Sequence, residues 1–307
     1  MRGKLTRRDM LKLTGGTLAG AGLMGLAGCG SAGSGSSSSS KSLTLGSIGW
    51  TENIAVSNLT KVVFEEDMGY DQVEVQGPLE LGLLFQGVAK GDLHAFQDVW
   101  LPNHKTFIDK PQLKNDLELL DPWYQGQTAY GLTAPTYMGI KSIADLVDVD
   151  TDEIIGIEPS ATFMPQIEDE VIPAYNLDMK LVTSSTAGML SSLQKAYGNK
   201  EPIVFTGWSP HWMNEEYDFV YLEDPKNAQA SWDDPARISC VVNADLKDDD
   251  PAAYAFLKAL SLDEKQVNEM GTAMKEAGSG KEVQGIRNWY KDNGDAVKSA
   301  IDAAKKA

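Results

Sequence analysis

Residues 42–50, SLTLGSIGW, and residues 52–68, ENIAVSNLTKVVFEEDM, decide the fold of this chain. Apolar and polar side chains alternate in the first stretch, which predicts a strand, whereas the apolar residues of the second recur with helical spacing. Residues 73–75 then predict a second strand, residues 80–90 a second helix, and residues 93–100 a third strand. This β-α-β-α-β order predicts an α/β layer with a largely parallel sheet.

The same order of elements occurs a second time along the chain. The further predicted elements are strands at 154–157, 180–182 and 203–205, helices at 163–174 and 187–197, and C-terminal helices at 250–260, 263–277, 281–291 and 293–305. Two α/β units and a helical tail predict two lobes, joined by strands near Tyr130–Tyr137 and Arg237–Ala244. We expect residues 42–132 and 239–307 to form the first lobe and residues 133–238 the second.

The N-terminus has the features of an export signal. Arg7 and Arg8 precede an uncharged apolar stretch, residues 13–27, which is shorter than the about 20 apolar residues that a membrane-spanning helix needs. We therefore expect residues 1–28 to be a twin-arginine signal that is removed. Met10 stands where such signals often have Phe, so export by the Sec route stays open.

The end of this signal, Leu26-Ala27-Gly28-Cys29, resembles a bacterial or archaeal lipobox. We expect Cys29 to carry lipid and residues 29–41, which are rich in Gly and Ser, to form a flexible tether. An ordinary membrane anchor with a chance cysteine is the alternative. If Cys29 is lipidated, Cys240 has no disulfide partner, and its apolar neighbours predict a buried small side chain without chemistry.

The chain is acidic, with 44 Asp and Glu against 27 Lys and Arg and a formal net charge of −17. Such a balance argues against nucleic-acid binding, which needs basic patches. It also argues against docking onto anionic lipid by charge.

Few residues suggest catalysis. The three histidines, His94, His104 and His211, lack metal-site spacing, and there is no G-x-S-x-G motif. Residues 278–281, GSGK, mimic the end of a phosphate loop but lack its first Gly and its final Ser or Thr. We therefore predict no catalytic residue, no metal site and no cofactor.

Three of the seven tryptophans share a position in the predicted fold. Trp50, Trp100 and Trp208 each follow an apolar strand and begin a loop. Core packing is the usual role of a single Trp, but ligands of open α/β sheets bind beyond the carboxyl ends of the strands. Three indoles at that edge would form an aromatic box. Such a box suits a quaternary ammonium, which has no N–H to donate and is attracted to the indole face by up to about 2 kcal/mol per desolvated contact.

A candidate anion site lies in residues 156–165, GIEPSATFMP, which predict a strand, a loop and the start of a helix. The backbone N–H groups near Thr162 and Phe163 would then point outward at the positive end of the helix dipole, where a carboxylate can bind. His104, four residues after Trp100, could add a side-chain donor.

Several of these stretches resemble one family. WLPNH at 100–104, GIEP at 156–159 and TGWSPHW at 206–212 are similar to motifs of the glycine betaine-binding proteins of osmoprotectant ABC importers. YLEDPK at 221–226 and the segment 69–92 are similar as well. The resemblance runs from about Leu43 to the end of the chain, and TGWSPHW is its most specific part.

This resemblance implies a two-lobed α/β fold of the type II periplasmic-binding-protein kind, which closes on a ligand in the cleft. It places Trp50, Trp100 and Trp208 as the cage tryptophans. It places the amides of Thr162 and Phe163, with the His104 side chain, around a carboxylate. It leaves His211 and Trp212 as supports of their loop.

Three positions depart from the family pattern. The family often has Trp-Leu-Pro-x-Thr-His, whereas here Asn103 is followed at once by His104, which bears on the aim of that histidine. Phe163 is bulkier than the small residue often found there and could narrow the pocket. Asp98 could meet a hydroxyl or a cation, although a solvent-facing position is the favoured interpretation.

The expected function is capture of glycine betaine, or of a close relative such as proline betaine, for an ABC permease and its ATPase subunits. We expect a monomer that is extracytoplasmic, anchored to the membrane by its lipid, and not an enzyme. Choline, carnitine or a sulfonium solute on the same scaffold, an exported enzyme, and a ligand sensor stay open as alternatives.

Overall fold

A computed structural model describes residues 41–229 and 236–307 of the chain. The predicted signal at 1–28, Cys29 and the tether as far as Ser40 lie outside the described residues, as does Trp232. Among the helices of the described ranges, none is both long enough and apolar enough to cross a membrane.

Two five-stranded sheets organise the described part of the chain. The first sheet has the spatial order Gln72–Gln76 (β2), Ser42–Gly46 (β1), Ala95–Leu101 (β3), Arg237–Asn243 (β10) and Leu117–Leu119 (β4). The second has the order Lys180–Val182 (β7), Glu153–Ile155 (β6), Val204–Ser209 (β8), Ala129–Pro135 (β5) and Phe219–Tyr221 (β9). We call each sheet with its helices the first and the second lobe.

The two sheets have matching pairing patterns. Three neighbouring strands are parallel in each, β2-β1-β3 in the first and β7-β6-β8 in the second. The fourth strand of each, β10 or β5, is antiparallel to both of its neighbours. The repeated order of predicted elements therefore corresponds to two sheets of the same topology.

The helices connect and cover these strands. They are Thr51–Glu66 (α1), Leu81–Lys90 (α2), Lys105–Ile108 (α3), Phe163–Gln166 (α4), Ile172–Tyr175 (α5), Thr186–Asn199 (α6), Met213–Glu216 (α7), Leu246–Asp249 (α8), Pro251–Ala259 (α9), Glu264–Ala277 (α10), Glu282–Asn293 (α11) and Lys298–Ala304 (α12). A π-helical turn at Ile167–Val171 joins α4 to α5. Both α10 and α11 pack against α1, so these C-terminal helices contact the first lobe.

Helix α2 shows how the apolar pattern directs packing. Leu81, Leu84, Phe85 and Val88 are all buried, and their spacing of three and four places them on one face of a helix. The helix ends at Gly91, whose φ of 75° is left-handed and whose N–H bonds the carbonyls of the preceding turn. The buried face holds the helix on the sheet, and the turn returns the chain to β3.

The chain passes from the first sheet to the second between β4 and β5, and it returns between β9 and β10. The segments predicted as crossings, near Tyr130–Tyr137 and Arg237–Ala244, correspond to β5 and β10. Each of these strands belongs to one sheet only, β5 to the second and β10 to the first. The lobe limits of 42–132 with 239–307, and 133–238, stay a prediction.

Candidate functional site

The three tryptophans selected from the sequence line one cavity between the lobes. Trp50 immediately precedes α1, while Trp100 and Trp208 are the penultimate residues of β3 and β8. The prediction that all three directly follow their strands was therefore wrong, because Trp100 and Trp208 lie within their strands and Trp50 comes four residues after the end of β1. Strand pairing continues through both residues, since Trp100 lies opposite Ile238 of β10 and Trp208 lies opposite Tyr130 of β5. All three are almost fully buried, at 5%, 6% and 4% exposure.

The cavity has an empty volume of about 350 Å³, part of which is open to solvent. Its walls combine aromatic rings with few polar groups. The lining residues are Trp50, Glu52, Trp100, Asn103, His104, Tyr130, Ile157, Thr162, Phe163 and Trp208. All six predicted ligand-binding residues are thus brought together, and no lysine or arginine is among the described lining residues.

Each indole N–H of the cage donates a hydrogen bond to a carboxylate. Trp100 Nε1 donates to Asp98 Oδ1 at 2.9 Å, within the same strand. Trp208 Nε1 donates to Glu52 Oε2 at 3.0 Å. Trp50 Nε1 donates at 3.2 Å to Oε2 of Glu158, which follows β6. Each of these bonds restrains the plane of its ring.

Two of these carboxylates lie buried behind the cage. Asp98 is 0% exposed and therefore does not face solvent, in contrast to the favoured expectation. Glu52 is also buried, and Glu52 Oε1 and Asp98 Oδ2 have no hydrogen-bond partner in the described part of the chain. Burial, with a smaller contribution from the charge of Glu158, raises the pKa of Glu52 to about 8. Burial, with the neighbouring charge of Glu52, also raises the pKa of Asp98 well above its ordinary value.

His104 is a neutral donor at the cavity wall. Burial lowers the pKa of His104 to about 3, so the ring is uncharged near neutral pH. Its Nδ1 accepts the backbone N–H of Trp100 at 3.1 Å, which leaves the proton of the neutral ring on Nε2. The ring centroid lies 6.0 Å from that of Trp50. The shortened segment before His104 thus does not remove this residue from the cavity.

The predicted anion site lies at the start of α4. Phe163 is the first residue of the helix, Thr162 is its N-cap, and Pro165 lies in its first turn. The first N–H groups of a helix have no partner within the helix. Both Thr162 and Phe163 line the cavity, so the amino end of α4 is directed toward the tryptophan cage.

Sequence reasoning did not predict four of the lining residues as ligand-binding, namely Glu52, Asn103, Tyr130 and Ile157. Tyr130 packs edge-on against Trp100 at 6.1 Å and stacks on Phe163 at 6.0 Å, while Asn103 Nδ2 donates to its hydroxyl at 2.9 Å. Tyr130 has no motif of its own that could have identified it. Glu52, by contrast, follows Trp50 by two residues in the first turn of α1, so its closeness to the cage is readable from the sequence.

Histidine 211 supports the closed arrangement of the lobes. Its Nδ1 accepts the backbone N–H of Met213 at 3.0 Å, and its Nε2 lies 2.8 Å from Thr51 Oγ1 on α1. Burial lowers the pKa of His211 to about 3, so Nε2 carries the proton and donates across the cleft. Ser209 Oγ likewise donates to Glu264 Oε1 at 3.1 Å.

A family model described as the substrate-binding domain of the ABC-type glycine betaine transport system, OpuAC, matches residues 41–292. The chain belongs to this family. Members of the OpuAC family are thus described as binding components of transporters rather than as enzymes.

Individual OpuAC-type relatives agree with this assignment. The glycine betaine/carnitine transport binding protein GbuC of Listeria monocytogenes serotype 1/2a (strain 10403S) is 35% identical over 182 residues. That match spans 58% of this chain and only 57% of the length of GbuC.

Solved structures show the same two-lobed fold. Lactococcal OpuAC, in a closed-liganded conformation complexed with glycine betaine, is 31% identical and superposes with a TM-score of 0.75 over 85% of this chain and 99% of its own. The glycine betaine, L-proline-binding protein ProX of Borrelia burgdorferi is 26% identical, with a TM-score of 0.76 over 86% and 99%. The predicted type II periplasmic-binding-protein fold is confirmed by these likenesses.

Proposed function

We propose that this chain captures a quaternary ammonium solute, with glycine betaine as the best-fitting ligand, for an ABC importer. The observation that carries this proposal is the aromatic cage itself, with a carboxyl group at the edge of each ring and no cationic side chain in its described lining. Three indoles face one cavity, each is bonded to a carboxylate, and none of the described lining residues is a lysine or an arginine. Such a wall is complementary to a cation that cannot donate hydrogen bonds.

The same cavity also fits a carboxylate. The amino end of α4, with Thr162 and Phe163, lines the cavity and brings the positive end of a helix dipole to it. His104 can add its Nε2–H as a neutral donor. A ligand with a trimethylammonium group and a carboxylate one carbon apart would thus contact both lobes at once, which favours the closed state.

The proposed setting follows from the N-terminal sequence and from the family. We propose that the chain is exported, that Cys29 anchors it by lipid outside the cytoplasmic membrane, and that it works as a monomer. The family description supports an ABC permease and ATPase as the partners. The chain itself would perform no catalysis, in keeping with relatives that are named as binding proteins.

Choline, carnitine and sulfonium solutes stay as alternative ligands because the cage recognises the onium group alone. A choline binder would gain nothing from the amino end of α4. A role as a ligand sensor rather than a transport component would use the same cage and the same closure.

The test is calorimetric titration of the purified chain with glycine betaine, choline, carnitine, proline and 3,3-dimethylbutanoate. The last compound has the shape of glycine betaine, with carbon in place of the charged nitrogen. We expect glycine betaine to bind at least about 30-fold more tightly than this analogue, which keeps the carboxylate but lacks the cation, and the difference corresponds to one desolvated cation–π contact. Equal affinities, or no heat with any quaternary amine, would refute a cation cage. Tight binding of choline alone would retain the cage and remove the carboxylate assignment.

A further inference from the structure

Glu158 lies on the opposite side of the cleft from the tryptophan that it contacts. It follows β6 in the second lobe, and its Oε2 accepts the indole N–H of Trp50 of the first lobe at 3.2 Å. Trp50 follows β1 of the first sheet, whereas Glu158 follows β6 of the second sheet. The bond therefore exists only while the lobes are closed.

The second lobe fixes the Glu158 carboxylate in place without help from the first lobe. Its Oε1 accepts the backbone N–H of Thr186 at 2.8 Å, and its Oε2 accepts the Thr186 hydroxyl at 2.9 Å. Thr186 is the first residue of α6, a helix of 14 residues. An amino-terminal turn stabilises a carboxylate through its N–H groups and its dipole. Glu158 is thus oriented before it meets Trp50.

The three indoles of the cage differ in what orients them. Trp100 is bonded to Asp98, two residues away in the same strand, so its orientation does not depend on closure. Trp50 and Trp208 are each bonded to a carboxylate of the other lobe. Closure thus orients two of the three rings, and the open protein retains one oriented ring.

We propose that Glu158 is a positioning residue that orients the Trp50 ring against the ligand as the lobes close. Through this ring, Glu158 slows the dissociation of the bound cation and does not speed its association. This inference rests on the proposed function. An incoming ligand first meets the ring of Trp100. Closure then brings Glu158 to Trp50 Nε1, and opening must break this bond before the ligand leaves.

The kinetics of the full chain test this role. Glu158→Ala should weaken glycine betaine binding about 10- to 100-fold, the range for loss of a hydrogen bond to a charged group. Almost all of this change should be faster dissociation, with the association rate constant within about threefold of wild type, because affinity changes within one interface lie mostly in dissociation. X-ray scattering at saturating ligand should show a larger open fraction than in wild type.

Matched variants separate this role from a general effect of charge or of folding. Glu153→Ala removes one acidic side chain from the exposed end of β6 and should leave both rate constants unchanged. Trp50→Phe retains an aromatic face but removes the N–H. In the Trp50→Phe background, Glu158→Ala should change the affinity by less than about threefold, since coupled residues are not additive. Thermal unfolding without ligand identifies any variant that is simply misfolded.

The outcomes are distinct. Unchanged dissociation in Glu158→Ala, or an undiminished effect in the Trp50→Phe background, would overturn the positioning role while wild-type binding stands. A slower association with an unchanged closed fraction would also overturn it. Failure of the wild-type chain to bind any quaternary amine would instead refute the proposed function itself.

Discussion

The indole N–H of Trp208, in the second lobe, donates to Glu52 Oε2, in the first lobe, over 3.0 Å. Both side chains are buried, and Glu52 follows Trp50, another cage residue, by only two positions. One short segment of the first lobe therefore supplies a ring to the cage and an acceptor for the ring opposite. The cage is held by bonds between the lobes as much as by packing within them.

Removal of the Trp208 N–H should weaken ligand binding even where the aromatic face remains. We expect about a 10-fold loss in glycine betaine affinity for Trp208→Phe, because Glu52 loses its donor. Trp208→Ala should lose at least about 30-fold, since the cation–π contact goes too. Titration calorimetry measures both. Trp289→Phe is the control, because Trp289 makes the same kind of bond to Glu269 on the C-terminal helices. If Trp208→Phe binds as tightly as wild type, the hydrogen bond contributes nothing; if both substitutions at Trp208 cost equally, the aromatic face contributes nothing.

Glu52 should make the folded protein less stable as the pH rises. Its pKa increases from 4.5 to about 8 on folding, so between these values the folded state binds more protons than the unfolded state. Stability contributed by the protonated group is therefore fully present below pH 4.5 and is lost as the pH approaches 8. Glu52→Gln carries no such charge. We expect its thermal midpoint to rise relative to wild type from pH 5 to pH 9 in ligand-free protein, and a constant difference would contradict this.

The same group should release a proton when the cation binds. A quaternary ammonium beside the cage favours the ionised form of Glu52, whereas Asp98 and Glu158 oppose it. Affinity should therefore rise with pH between about 6 and 8. Calorimetry at pH 7 in two buffers of different ionisation enthalpy should give different heats for wild type and equal heats for Glu52→Gln. Equal heats for wild type would show that no proton moves.

The tryptophans were predictable because strand endings and aromatic residues can be read locally. Trp50, Trp100 and Trp208 were correctly placed at the carboxyl edges of two sheets, although two of them end strands rather than follow them. The start of a helix at Phe163 was readable from Pro165 and the preceding loop. These features depend on residues close together in sequence.

The carboxylates behind the rings were not predictable in the same way. Asp98 looked solvent-facing because the sequence does not show that β3 is covered on both faces, and the structure buries it completely. The pairing of Glu52 with Trp208 joins residues 156 positions apart. Tyr130 enters the cavity only because β5 pairs with β8, which brings it opposite Trp208. Such contacts arise from tertiary packing rather than from local pattern.

His104 should contribute to the recognition of a carboxylate and not to that of the ammonium group. Its Nε2–H is the donor left available once Nδ1 accepts from Trp100. We expect His104→Phe, which retains an aromatic ring, to weaken glycine betaine about 10-fold and to change choline by less than about threefold. Parallel titrations with the two ligands measure the ratio. Equal losses for both ligands would mean that His104 only supports the ring of Trp50.

Gly285 should be indispensable for packing and irrelevant to ligand chemistry. A Cβ at this position of α11 would lie 2.5 Å from the carbonyl oxygen of Ala273 and 2.7 Å from the Cα of Met274, both backbone atoms of α10. Because backbone cannot move aside locally, Gly285→Ala must separate the two helices, and overpacking of this kind typically costs about 1–3 kcal/mol. Gly198→Ala is the matched control, since nothing lies within 4 Å of its added Cβ in α6, and it should stabilise by about 0.5–1 kcal/mol. Denaturant unfolding measures both changes in stability. The affinity of folded Gly285→Ala for glycine betaine should stay within about threefold of wild type. That change is well below the roughly tenfold loss expected when a hydrogen bond to a charged group is removed. Equal stability of the two variants would mean that α10 and α11 can separate without cost.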